Sequence, residues 1–211
     1  MLFSYSPRFI FNKKGQYSLF AAKIGSSVVS VEPFSENVMR IHKAVKEEQL
    51  EHKITLVNNA LSDKKNQIKL LQPDDVNIGG QSLLNHKDKT FSSIQNNKYL
   101  VETIWLDDIA ECLPRKSDGK SFEKGIMKID IEGFEHYAFT HAKKLFGLID
   151  FQVIFMEWKI MRHQADSVDL VKQLIQFLES YNLVPYDDLN KLNKEAFNSW
   201  PDDIIWKKIS S

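Results

Sequence analysis

The chain has 211 residues, 43% of them hydrophobic, and its 28 Lys+Arg balance 28 Asp+Glu at a formal net charge of zero. That is enough apolar material for a single domain with one buried core, and the even balance excludes the strongly basic footprint of a nucleic-acid binder. The lone cysteine, Cys112, excludes an intrachain disulfide and a cysteine-rich zinc module.

Cys112 itself reads as a small semi-buried apolar residue, and a reducing, cytoplasmic setting is the default. No apolar run approaches the ~18–20 residues of a membrane span. Met1 to Arg8 lacks the charged-then-apolar order of a secretory signal. Localisation stays open if a targeting or anchor segment precedes Met1. Eight glycines are about 4% of the chain against a usual ~7%, few for a loop that cradles a nucleotide.

In chain order, Ser27–Val31 is a β-branched strand stopped by Pro33, which leaves Glu32 at its tip. Ser35 then suits an N-cap, with Phe34 stapled onto Met39, and Val38, Ile41 and Val45 follow at helical spacing. Ile54–Val57 and Ile68–Leu71 read as strands. Residues 74–97 form a long polar loop with Gly79-Gly80 in its middle. A strand near Leu100–Thr103 leads to a short helix at Leu106–Ala110.

Gly125–Asp130 is the next strand, followed by a turn at Gly133 and a helix over Phe134–Leu145. Phe151–Glu157 is a nearly continuous apolar run, as expected of a sheet interior covered on both faces. Val168, Val171, Leu174, Ile175 and Leu178 phase an amphipathic helix, and short strands close the chain at Leu183-Val184 and Ile204–Trp206. Alternating strands and helices predict an α/β fold with a doubly wound, mostly parallel sheet.

In such sheets ligands sit beyond the carboxyl ends of the strands. Three strand ends carry acid: Glu32, the pair Asp130 and Glu132, and Glu157. Glu32 lies 17 residues after Gly15, where a carboxylate can accept from both hydroxyls of a ribose. Asp130 and Glu132 share parity along the strand. Paired acids there can orient a hydroxyl, accept its proton or hold a cation. His136 reads as an exposed helix residue. It is five positions from His141, so the two share no helical face and offer no zinc pair. Trp158, Trp200 and Trp206 read as packing residues.

Six stretches occur in order: Val31-Glu32-Pro33-Phe34 with Asn37, Asn59-Ala60-Leu61-Ser62, Gly79-Gly80-Gln81-Ser82-Leu83, Leu106-Asp107-Asp108-Ile109, Lys128-Ile129-Asp130-Ile131-Glu132-Gly133-Phe134-Glu135, and Phe155-Met156-Glu157-Trp158. Together they resemble the FkbM-type methyltransferases, which use S-adenosylmethionine and mostly methylate hydroxyl oxygens. The ending Trp200-Pro201-Asp202-Asp203-Ile204-Ile205-Trp206 resembles the last strand of that family. The resemblance implies a Rossmann-like class I methyltransferase fold with an antiparallel C-terminal strand, and S-adenosyl-L-methionine as cofactor.

By the same resemblance Gly15 belongs to the cofactor turn, Glu32 binds the ribose, and Asn59 and Ala60 border the adenine. Asp130 stands beside the transferred methyl and Glu132 lines the acceptor. Gly80, Ser82 and Glu157 fall on the substrate side. The expected partner is a small-molecule or glycan-like hydroxyl substrate, with no nucleic acid and no metal requirement.

The front of the chain departs from the family. In place of an Asp-x-Gly-x-Asn-x-Gly turn it has Phe9-Ile10-Phe11-Asn12-Lys13-Lys14-Gly15, and only the last glycine has a counterpart. Side chains in such a turn crowd a cofactor. The departure opens two alternatives to an active enzyme: a pseudo-methyltransferase kept as a binding module, or a truncated form lacking a complete first strand and its N-terminal extension.

Overall fold

Short β-branched runs separated by polar turns and amphipathic helices settle into a layered α/β domain in the computed structural model of this protein. The structure describes residues 8–11, 15–71, 82–83, 98–113 and 124–209. The first half runs β1 (Arg8–Phe11), α1 (Gln16–Lys23), β2 (Ser27–Val31), α2 (Ser35–Glu47), β3 (Ile54–Val57), β4 (Ala60–Leu61), β5 (Ile68–Leu70) and β6 (Leu100–Ile104). After a tight helical turn at Leu106–Cys112 come β7 (Lys124–Ile129), α3 (Glu135–Ala138), α4 (Lys143–Leu148) and β8 (Asp150–Glu157). The chain ends with α5 (Val168–Ser180), β9 (Leu183–Asp187), β10 (Asn190–Lys191) and β11 (Asp203–Lys208).

The main sheet has the order β10-β9-β11-β8-β7-β1-β2-β3. Strands β3, β2, β1, β7 and β8 pair in parallel, and β11 inserts antiparallel between β8 and β9. The doubly wound, mostly parallel sheet with an antiparallel C-terminal strand is therefore observed. Residues 8–11, which include the first three residues of the stretch that departs from the family turn, occupy its centre as β1, between β2 and β7.

One face of the sheet carries the main core: Met127 and Ile129 of β7, Ile154 and Met156 of β8, and Ile204 and Trp206 of β11 pack under Val171, Leu174 and Leu178 of α5. The opposite face is covered by α1 and α2, where Ala21, Ala22, Ile41 and Val45 close over Val28 and Ile54. Trp158, Trp200 and Trp206 are fully buried. The Trp158 indole N–H donates to the Phe197 carbonyl at 2.8 Å, and its ring lies 4.7 Å from that of Trp200. Among the described residues no helix is long and apolar enough to cross a membrane.

Three local expectations are corrected. The predicted helix over 134–145 is broken into α3, a short turn at Phe139–His141 and α4. The Thr140 hydroxyl donates back to the Tyr137 carbonyl at 2.7 Å, a bond that bends helices. Ser35 is the first helical residue rather than the cap, and no side chain caps α2. Phe34 does not staple onto Met39, which is 63% exposed; its ring stacks on Tyr99 at 5.3 Å. Beside the main sheet, β4, β5 and β6 form a separate three-stranded one, order β4-β6-β5.

That small sheet has a positioning role. Its Ala60, Leu71 and Val101, with Leu83, join Phe34 and Phe134 in one apolar cluster. Phe34 follows Glu32 and Phe134 follows the Asp130–Gly133 turn, so the two halves of the predicted site rest on shared packing.

Candidate active site

Strand order reverses at β1, since the chain leaves β1 toward β2 on one side and later returns to β7 on the other. A crevice at the carboxyl ends is the geometric result. The register levels its contents. Phe11 pairs with both Ser30 of β2 and Lys128 of β7. Glu32 and Asp130 each stand two residues further on, at one height on either side of β1. Two strand spacings put their backbones roughly 10 Å apart.

Glu32 is 5% exposed, and its Oε1 accepts the Phe34 N–H at 2.9 Å. The Glu32 N–H donates to the Val57 carbonyl, and the Asn58 side chain donates to the carbonyls of Glu32 and Pro33, both at 3.0 Å. The Glu32 backbone is thus pinned on both sides, and one carboxylate oxygen is held by the Phe34 amide. Asn59 is half-buried and donates to the Glu102 carbonyl at 3.2 Å, and Ala60 is buried in β4. Sequence reasoning passed over Asn58, although an amide one residue past a strand end is a ready lock for the neighbouring loop.

Gly15 sits at the start of α1 with φ +69°. A Cβ there would lie 2.5 Å from Ile41 Cγ1, so this glycine is required by the left-handed turn and by the packing of α2. Gly80 lies outside the described residues. Ser82 is half-buried beside Leu83, which bridges to Leu71.

On the other side, Asp130, Glu132 and Glu157 bring one carboxylate oxygen each within 4.8 Å of one another. The level pairing of Ile129 with Met156 explains the meeting of Asp130 and Glu157. Lys128 Nζ lies 3.2 Å from Asp130 Oδ2 and supplies a cation to the cluster. Lys128 also lies 5.2 Å from the centre of the Tyr17 ring of α1.

Two further residues of the motif are fully inside. Glu135 is 0% exposed, and its Oε1 accepts the Ile131 N–H at 2.8 Å. Burial pushes its carboxyl up to about 8; the Ile131 bond opposes this, and the charges of Glu157 and Asp130 add to it. His136 was expected on the surface, and it is 1% exposed. Burial lowers its imidazole to about 4, and neither ring nitrogen has a hydrogen-bond partner among the described residues. The reason is the short α3: it packs on α5 and turns inward, so a position that reads as a wet helix face is covered. Glu135 was legible only as one letter of the motif, though an acid in a helix's first turn can reach back to a backbone amide four residues earlier.

Lys69 is also buried. Its Nζ donates to Ser62 Oγ at 3.0 Å, Ser62 donates to Asp63 at 3.0 Å, and the ammonium lies 5.7 Å from the Phe134 ring centre. Burial lowers the Lys69 pKa. This chain of bonds ties the small sheet to the Gly133 turn.

A parallel sheet with this reversal and a last strand inserted antiparallel between β8 and β9 define the Rossmann-like class I methyltransferase fold. Residues 10–184 match the Methyltransferase FkbM domain. The chain belongs to that family. No curated protein matches it in sequence. Among solved structures it is similar to a candidate methyltransferase from Streptococcus mutans in complex with SAH, at 9% identity and a TM-score of 0.49, covering 97% of this chain and 89% of that one. It is also similar to a candidate rRNA-methylase from Clostridium thermocellum, at 10% identity and a TM-score of 0.47 over 97% and 89%. The fibrillarin pre-rRNA processing protein of Methanococcus jannaschii matches at 10% and 0.46, over 95% and 65%.

Proposed function

We propose that this protein is an S-adenosylmethionine-dependent methyltransferase that acts on the hydroxyl oxygen of a small-molecule or glycan-like acceptor. One observation carries the reading: Glu32 and Asp130 stand level on either side of β1, a separation that suits a ribose at one end and a reacting methyl at the other. The buried Glu32, its Oε1 set by the Phe34 amide, fits a ribose diol, and Asn59 with Ala60 fits the edge of an adenine. When bound, the cofactor supplies an electrophilic methyl on a sulfonium.

The chain's own residues then do the rest. Glu32 anchors the ribose. Asp130 accepts the proton that the acceptor hydroxyl loses as its oxygen is methylated, a contribution of about 10²–10⁴ in rate. Glu132 and Glu157 line the acceptor side, with Gly80 and Ser82 on the segment that sets specificity. Holding the hydroxyl oxygen in line and about 3 Å from the methyl provides much of the acceleration.

Calorimetry with S-adenosylmethionine and with SAH tests the first step. Both should bind, and Glu32→Gln should weaken them at least about tenfold through the loss of one charge-assisted bond. Asp130→Asn should keep that affinity and lower methyl transfer to a panel of sugar and small hydroxyl acceptors by about 10²-fold or more. Absence of binding at millimolar ligand overturns the enzyme assignment and leaves the binding-module alternative.

A further inference from the structure

The turn that carries the acceptor-side acids is held in an uncommon conformation. Glu132 has φ +56° and Gly133 φ +89°, two successive residues in left-handed space. For a non-glycine residue such a conformation is strained and persists only where the surroundings enforce it. Three contacts do so. Gly133 abuts Ile160, whose Cγ2 lies 2.5 Å from where a Cβ would stand. The Gln164 side chain donates to the Gly133 carbonyl at 3.3 Å. On the inner side the Ile131 N–H, between Asp130 and Glu132, donates to Glu135 Oε1 at 2.8 Å.

Glu135 has no exposure at all, which makes it an unusual place for a carboxyl. Its Oε2 has no hydrogen-bond partner among the described residues, and its Oε1 accepts the amide directly between Asp130 and Glu132.

We propose that Glu135 is the positioning residue of the acceptor site: by accepting the Ile131 amide it sets the Glu132–Gly133 turn and so fixes where Asp130 and Glu132 present their carboxylates. This rests on Asp130 and Glu132 being the acceptor-side groups. Burial that favours a neutral carboxyl supports it, because a neutral acceptor is all the role requires.

The role separates acceptor from charge. Glu135→Gln keeps a carbonyl oxygen in place for the Ile131 N–H. Glu135→Leu keeps the volume and removes the acceptor, and its apolar side chain suits a fully buried position, so folding survives. In the Leu variant the Ile131 amide should exchange with deuterium at least tenfold faster than in wild type, SAH affinity should be retained, and the turnover number should fall at least tenfold. The Gln variant should restore amide protection and turnover. Unchanged Ile131 exchange in the Leu variant overturns the proposal, and so does a Gln variant as slow as Leu. The amide readout needs no catalysis. A wild type that fails to bind SAH while its Ile131 amide behaves as described refutes the enzyme reading, and with it the acceptor-site role, but not the turn geometry.

Discussion

Replacing Glu135 by Gln should make the protein more stable, by an amount that grows with pH. The carboxyl titrates near 8 in the folded protein, against an ordinary 4.5. Between those values the folded state keeps a proton that the unfolded chain has released. A folded value raised in this way gives a contribution that is complete below the unfolded value and is lost as pH rises through about 8. At about 1.4 kcal/mol for each pH unit, the loss is about 3 kcal/mol at pH 7 and about 5 kcal/mol above pH 8. Gln has no proton to lose and keeps the bond to Ile131. Urea unfolding of both proteins at several pH values reads the difference directly. It should climb by about 1.4 kcal/mol per pH unit from about pH 5 to about pH 8 and then level off. Constant offsets from packing or from the extra amide donors do not affect the slope. A difference that stays flat over that range refutes the reasoning, because Glu135 would then ionise in the folded protein as it does in the unfolded chain.

His136 should act in the opposite direction: its folded value of about 4 lies below the ordinary 6.5, so its stability is present above pH 6.5 and lost as pH falls toward 4. The wild type should lose about 3 kcal/mol across that window, and His136→Leu should unfold with a markedly shallower acid limb in the same urea series. Gly15→Ala should cost about 2–4 kcal/mol, from left-handed backbone and the collision with Ile41. Gly25→Ala, at φ +97° with nothing within 4 Å, should cost only the backbone share; equal losses by thermal unfolding would refute the packing part. Methyl transfer should survive a chelator, since Lys128 already supplies a cation to Asp130. Activity abolished by EDTA and restored by a divalent metal would overturn that expectation.

Much of the sheet was legible one strand at a time. Ser27–Val31 and Val168–Ser180 were read almost to the residue, because a β-branched run ending at proline and a 3.6-residue apolar repeat are local signals. The break at Ala142, with φ −125°, was not, since apolar spacing on either side of it runs on as for one helix. Two strands of the small sheet, β5 and β6, were read from the sequence; β4 and the pairing of the three were not. Strand propensity says nothing about which edge a strand joins.

The candidate site divides in the same way. Sequence alone determined which acids stand at strand ends, Glu32, Asp130, Glu132 and Glu157, and the motif order that places the chain in its family. It also located the shortage of glycine at residues 9–14, a matter of composition and position. Tertiary structure decided which of these groups meet: pairing through β1 levels Glu32 with Asp130, and pairing of β7 with β8 brings Glu157 to the cluster. It also decided that Glu135 and His136 are inside. Burial is a property of what packs over a residue, and α5 and the small sheet reach that place from distant parts of the chain.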